Sequence, residues 1–516
     1  MTGIGSAFTK SNILTLAFLI HKNMKKIITF SFALMASATM FAQTQLWDGE
    51  NQKVGSQGGF WNDGSPTVVE NPEKDGINTS DKCLKFIMSN DKKVIKLPFR
   101  DWITPSMDGS KRISLMIKKP KSENVQIELS DPTNGTEGYW HKVATWYGGE
   151  GKWQKVVFDF SNNGDFDCPG LMTITAQTGD VEGEQEVYID NVMIEPATKV
   201  NGQLLSGIED HSLSGNISLS GAWMKGSCVN TDGGWTDVNY NDFATLAGKL
   251  NAGITSIDMR GTTTKDVDVN TMRGEHSNVL VFADEAYDAN NIVANGNCAN
   301  LVLTNAQPFA TPADFKAANV SITRKVYAGN NTLCLPFYVS QEDLGAQAIA
   351  TYTGNEEKDG KTIINFDKQP HVDANKPFIA QFEEANAKET FTFTDKGVVT
   401  TPAEMGNHFT GTYTPGSAAG KYGLNADGLF QKGGDKAKIN AFSAYLTLNE
   451  AQEAKPILLA IGGETTGINA ATIANGNETV KVYNLQGRLV ATAKSLNDLH
   501  LANGVYIVNN KKVIVK

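Results

Sequence analysis

The chain lacks the residue patterns on which most catalytic chemistry depends. Its 516 residues include five cysteines and seven histidines. Cys83, Cys168, Cys228, Cys298 and Cys334 form no CxxC or CxH pair, and the histidines form no HxH or HExxH group, so zinc-ligand spacing is absent. There is no GxSxG elbow and no GxxxxGK[ST] loop, which removes the sequence signals for a nucleophile-elbow hydrolase and for a phosphate cradle. A glycosidase needs two carboxylates roughly 5–10 Å apart. Among 56 acidic residues no single pair stands out. Basic residues are in deficit, 46 against 56 acids, for a formal charge of −10. A polyanion-binding protein shows the opposite bias, so nucleic acid is not expected as a partner. Beyond the N-terminal leader no run reaches about 18 apolar residues, so no transmembrane segment is expected in the mature chain.

What the chain does have is turn chemistry between short apolar runs. Glycine is abundant at 49 residues against 16 prolines, and Asn, Thr and Asp crowd the gaps. Leu84–Met88, Ile113–Ile117, Val125–Leu129, Val156–Phe160 and Val187–Val192 alternate apolar with polar side chains, the pattern of strands with one face in a core and one in water. The expected fold class is all-β. An N-terminal jelly-roll sandwich is followed by irregular, solenoid-like β modules in the middle and a small C-terminal β-sandwich.

Five segments are expected. Residues 1–42 read as a leader: Met24-Lys25-Lys26 opens a charged region, Ile27–Phe41 is its apolar run, and the true start is placed at Met24. No cysteine follows the cleavage point, so a lipoprotein anchor is not indicated. Residues 44–197 form the sandwich. Residues 198–320 begin with a linker-like stretch to Gly221 and continue as brief strands, Ile254–Met259, Val279–Ala283 and Asn300–Thr304, at a loose interval that suggests stacked coils. Residues 321–465 form a β module without visible chemistry, and residues 466–516 a small terminal sandwich. An exported protein permits disulfides, but five cysteines cannot all pair within the chain, and burial as small apolar side chains is the default for most of them.

Three strings in the first domain carry a resemblance: Asn71–Ser80, Trp153–Ser161 and Tyr188–Val192. Together they resemble galactose-binding-like jelly-roll modules, which are carbohydrate-binding-module-like and common in secreted proteins of Bacteroidetes-type bacteria. The resemblance implies a glycan or polysaccharide partner. Six of the eight tryptophans fall here, and flat aromatic rings suit the C–H faces of sugars. Tyr139-Trp140 and Trp146-Tyr147 bracket a short polar segment with Gly148 and Gly149 just after it. They are the expected platform, with Trp61 in a Gly/Asn-rich loop and His141 as a hydrogen-bonding partner. Trp153 leads straight into an apolar strand and is expected in the core. The resemblance also implies a structural calcium, held by Asp190 near the end of the last strand and by Asp48 or Glu50 near the first; hard oxygen ligands suit that ion.

The C-terminal segment carries the most specific strings: Tyr483-Asn484-Leu485-Gln486-Gly487-Arg488, Asn503–Val508 and Lys511–Lys516. They resemble the type A C-terminal sorting domain of the type IX secretion system. This resemblance implies export to the cell surface or medium via the periplasm, with outer-membrane secretion machinery as partner of residues 466–516. The expected function is a secreted or surface-displayed, non-catalytic protein with a carbohydrate-binding-like module. The alternatives are a structural or adhesive surface protein without glycan binding, and a polysaccharide-degrading enzyme or its accessory subunit.

Overall fold

A computed structural model describes residues 44–466, apart from 51–65, 75, 99–106, 108, 131–139, 165–169, 384–388 and 426–427, together with 480–484, 489–493, 504–508 and 511–515. The expected leader, Trp61, Tyr139 and Cys168 lie outside the described residues. The chain divides into two compact units, Met1–Asn295 and Gly296–Lys516. Strands dominate both, and the fold is all-β.

In the first unit ten strands form two sheets. They are β1 (Thr44–Trp47), β2 (Thr67–Glu70), β3 (Lys82–Met88), β4 (Val94–Pro98) and β5 (Arg112–Lys118), then β6 (Glu123–Ser130), β7 (Trp140–Tyr147), β8 (Gln154–Asp159), β9 (Leu171–Thr175) and β10 (Gln185–Ile194). One sheet has the order β2-β3-β10-β5-β8 with β1 on β10; the other contains β7-β6-β9-β4. Period-two alternation decides which side chains meet. Val125, Ile127 and Leu129 of β6 and Ile95 and Leu97 of β4 face Leu84, Phe86, Ile113, Leu115, Val187 and Ile189 of the other sheet in one buried core.

The second sheet does not end with the sandwich strands. After β11 (Lys199–Val200), β12 (Gln203–Leu204) and β13 (Leu213–Ser220) come β14 (Ala222–Asn230) and β15 (Thr236–Asn241), and β14 pairs antiparallel with β7 through Val229↔Ala144 and Asn230↔Val143. The sheet therefore reads β15-β14-β7-β6-β9-β4 and runs past residue 197. Cys228, Val238 and Tyr240 of this hairpin join the sandwich core.

The hairpin leads into helix α1 (Asp242–Lys249), capped by Asn241 accepting from Ala244 N, and into β16 (Leu250–Asp258). Next come β17 (Thr263–Lys265), helix α2 (Val269–Arg273), β18 (Leu280–Ala283) and β19 (Ile292–Ala294). β13, β16, β18 and β19 pair in parallel, with Ile217↔Ile257↔Val281↔Ile292 in one row. Those four residues, with Phe243 and Leu246 of α1 and Trp223, fill a second core.

The second unit opens with strands Asn297–Thr304 and Phe315–Thr323 in parallel, the latter antiparallel to Thr390–Val398. A six-stranded sheet (Gly329–Cys334, Pro377–Phe382, Ala348–Lys358, Lys361–Gln369, Ile457–Ile461, Glu464–Thr466) packs Phe366 edge-on against Phe409 at 5.1 Å. Among the described residues of the C-terminal segment, Leu489–Ala493, Val480–Asn484, Gly504–Val508 and Lys511–Val515 form an antiparallel sheet in that order.

Candidate functional site: the outer face of the second sheet

Residues 140–147 form one continuous strand, and this decides what the expected aromatic platform can be. Alternation sends His141, Val143, Thr145 and Tyr147 inward and Lys142, Ala144 and Trp146 outward. Trp146 is 57% exposed, the only large apolar side chain this exposed among the described residues of β1–β10. Its indole lies against the backbone of Gly148, where an added methyl group would sit 3.2 Å from the indole Nε1.

Tyr147 and His141, expected beside Trp146, are buried on the opposite face. The Tyr147 hydroxyl lies 2.9 Å from the Lys119 carbonyl and 2.7 Å from that of Lys152, to which it donates, and it accepts from the Lys119 and Gly151 amides at 3.2 Å. Burial raises its pKa above the ordinary phenol value. Tyr147 thus braces the turn after β7 and fixes the strand end that presents Trp146. His141 Nδ1 sits 3.5 Å from Asp232 Oδ2, in the turn between β14 and β15. Trp140 lies in β7, where its side chain falls outside the described residues. Trp153 is buried and donates from Nε1 to Asn71 Oδ1 at 3.1 Å.

Around Trp146 the outward positions are polar and mostly half-buried: Asn124, Gln126 and Glu128 on β6, Lys142 on β7, Thr173 and Thr175 on β9 and Lys96 on β4. Register aligns them in rows. Asn124 stands opposite Trp146, Val94–Thr175–Gln126–Ala144 form a second row, and Lys96–Thr173–Glu128–Lys142 a third. Lys142 Nζ lies 3.2 Å from Glu128 Oε2. Carboxylate, ammonium, amide and hydroxyl groups are thus displayed on a rigid sheet beside one exposed indole. These polar residues were missed at the level of sequence. Their signal was the alternation Asn124-Val125-Gln126-Ile127-Glu128-Leu129, whose outward members are all hydrogen-bonding types.

The expected calcium ligands belong to the other sheet, on β10 and just after β1. The register of β10 shifts between Asp190 and Met193, with Asn191 in a left-handed conformation at φ 47°, and this bulge turns Asp190 toward the chain after β1. Asp190 Oδ1 accepts from Gly49 N at 3.3 Å and Asn191 N at 2.8 Å, while Oδ2 is buried and makes no hydrogen bond of its own. Burial raises the pKa of this carboxyl, against the hydrogen-bonding groups of Ser80, Asn191, Gly49 and Asn78, which favour the charged form. Asp48 Oδ1 accepts from Glu50 N at 2.9 Å and Glu50 Oε1 from Lys82 N at 2.7 Å. Among the described residues no three His, Cys, Asp or Glu side chains gather as a metal-ligand cluster.

No family model matches the chain, and no curated protein is similar to it. Solved structures resemble somewhat less than a third of it. One is a carbohydrate-binding module from the β-sandwich superfamily, with 21% identity over 29% of this chain and 60% of that one, at a TM-score of 0.21. A second is a family 11 carbohydrate-binding module from Clostridium thermocellum in complex with a β-1,3-1,4-mixed-linked tetrasaccharide, with 11% identity over 30% of this chain and 96% of that one, at a TM-score of 0.20. A third is an exo-β-agarase, with 16% identity over 30% of this chain and 24% of that one, at a TM-score of 0.22.

Proposed function

We propose that the chain is an exported, non-catalytic protein that binds a polysaccharide on the outer face of β4-β9-β6-β7. The observation that carries this is Trp146, an exposed indole held at the end of rows of half-buried hydrogen-bonding side chains. A sugar presents a flat C–H face and a rim of hydroxyls; the indole suits the first, and Asn124, Gln126, Glu128, Lys142 and Thr175 suit the second. Placement on strands keeps these groups preorganised, so little side-chain freedom remains to be lost on binding. Export is supported by the leader around Met24–Phe41 and by the sorting-domain-like strings between Tyr483 and Lys516.

Affinity electrophoresis of the full chain through gels containing mixed-linked β-glucan, mannan or agarose tests this reading. At least one glycan retards the wild type, Trp146→Ala migrates as in a glycan-free gel, and no reducing sugar is released. Unretarded migration of the wild type in every gel overturns the proposal, and sugar release overturns its non-catalytic part.

We further propose that a structural calcium binds where β1 meets β10, with Asp190 as its anchor and Asp48 or Glu50 drawn from its present backbone hydrogen bond to join it. The ion would supply positive charge to a carboxylate that burial now disfavours. Calcium then raises the melting temperature relative to chelator, and Asp190→Asn removes that difference; equal melting of the wild type in calcium and in chelator refutes the assignment.

A further inference from the structure

We infer that the glycan-binding face extends past the sandwich onto the β14–β15 hairpin, and that Trp235 at its turn is a second stacking platform, so that the protein reads a linear polysaccharide chain rather than a single sugar. This rests on the reading of the Trp146 face given above.

Trp235 follows Gly233-Gly234 and is 63% exposed, the most exposed large apolar side chain described in this unit. Its turn is no free tip. Thr231 N donates to the Lys142 carbonyl at 2.9 Å, and Thr231 Oγ1 donates to Gln126 Oε1, on the outer face, at 3.0 Å. Asp232 Oδ1 accepts from Lys142 N at 2.9 Å, and its Oδ2 accepts from Asn163 Nδ2 at 2.5 Å and faces His141. The turn is therefore fastened to the strand that carries Trp146.

The register gives the face. Val94–Thr175–Gln126–Ala144–Val229–Asp237 is one continuous row across all six strands. On β15, Val238 and Tyr240 enter the core while Asp237 and Asn239 are exposed, and the same alternation puts Trp235 on the side of Asp237. β15 runs parallel to β7, because both are antiparallel to β14. Trp146 lies two residues beyond the row in one direction and Trp235 two residues beyond it in the other. Strand geometry separates them by about 10 Å across the sheet and about 13 Å along it. One sugar ring cannot touch both indoles, whereas an oligosaccharide lying diagonally over Val229 and the Gln126–Thr231 pair can.

The test is calorimetric titration of the full chain with oligosaccharides of increasing length from mixed-linked β-glucan, mannan and agarose. For the wild type, affinity rises with length once the ligand can span both rings. Trp235→Ala leaves short-ligand affinity unchanged and lowers long-ligand affinity by about tenfold, while Trp235→Tyr keeps most of the long-ligand gain. Trp146→Ala weakens ligands of every length. If Trp146→Ala abolishes binding and Trp235→Ala matches wild type at all lengths, the extension is overturned and the Trp146 site stands. If the wild type binds none of the three series, both fall. Trp235 is exposed in a turn, so an unchanged melting temperature of its variants confirms that the comparison is between folded proteins.

Discussion

Single side chains show best where burial has overruled intrinsic chemistry. Lys119 is almost completely buried; its Nζ donates to the Lys121 carbonyl at 2.6 Å and sits 5.0 Å from the centre of the Tyr147 ring. Burial pushes its pKa down to about 8 from an ordinary 10.5. Below pH 8 folded and unfolded chains both carry the proton, and the folded state bears the full cost of the buried charge. Between pH 8 and 10.5 the unfolded chain keeps a proton that the folded chain has released, so stability rises with pH through that window. Lys119→Met should flatten this rise, by a difference of about 1–3 kcal/mol between the two ends of the window, read from urea unfolding of wild type and variant. An equal rise in both proteins would remove Lys119 as its source. The same scale shows what the sequence could not display. Trp146 and Tyr147 are neighbours of similar chemistry, yet one meets water and the other braces a turn from inside. Their assignment depends on seeing residues 140–147 as a strand, and buried Thr145 and outward Ala144 blur the apolar alternation that would reveal it.

At the scale of elements, strands with clean alternation were legible and their partners were not. Val125–Leu129 and Val187–Val192 announce themselves by period two, because each buries one face only. Nothing local to Ala222–Asn230 says that it will pair with a strand some eighty residues earlier, since pairing is a long-range property of registers and edges. Helix α1 was likewise hidden, being eight residues long inside a region of short strands. It is tied to the sandwich by Arg112 of β5, which donates from Nε to Asp159 Oδ2 at 2.6 Å and from Nη1 to Asp242 Oδ2 at 2.7 Å and Nη2 to Asp242 Oδ1 at 3.0 Å. The guanidinium also lies 4.8 Å from the centre of the Tyr240 ring, and Asp242 Oδ2 accepts from Met224 N at 2.8 Å. One cation thus joins β5, β8, β15 and α1, and Asp242 carries the link on to β14. Arg112→Ala should cost about 3–5 kcal/mol in urea unfolding, because it leaves two carboxylates buried without their partner. A loss under about 1 kcal/mol, the range of an exposed pair, would show the cluster to be hydrated in solution.

For the first unit as a whole, the consequence is that the core and second sheet of the sandwich are completed by residues beyond 197. Cutting the chain after Ala197 would remove Cys228, Val238 and Tyr240 from the core and leave β7 with unpaired backbone groups at a sheet edge. A chain of residues 44–197 should unfold at lower urea than one of residues 44–295 and self-associate with concentration in size-exclusion chromatography. Equal midpoints and a monomeric short form would show that the hairpin adds nothing to the sandwich. Composition alone reported the all-β class, since glycine-rich turns between short apolar runs leave few other architectures. It could not report that the second sheet borrows its last two strands from sequence that reads as a linker and short coils.

Cys83, Cys228 and Cys334 are buried thiols, and burial pushes those of Cys83 and Cys334 up to about 12 and that of Cys228 to about 11. Such thiols are inert while the chain is folded and become reactive when it opens. Two lie in the first unit and one in the second, so alkylation followed by peptide mapping would time the opening of each half separately, with no introduced label: an internal clock for how long each half endures.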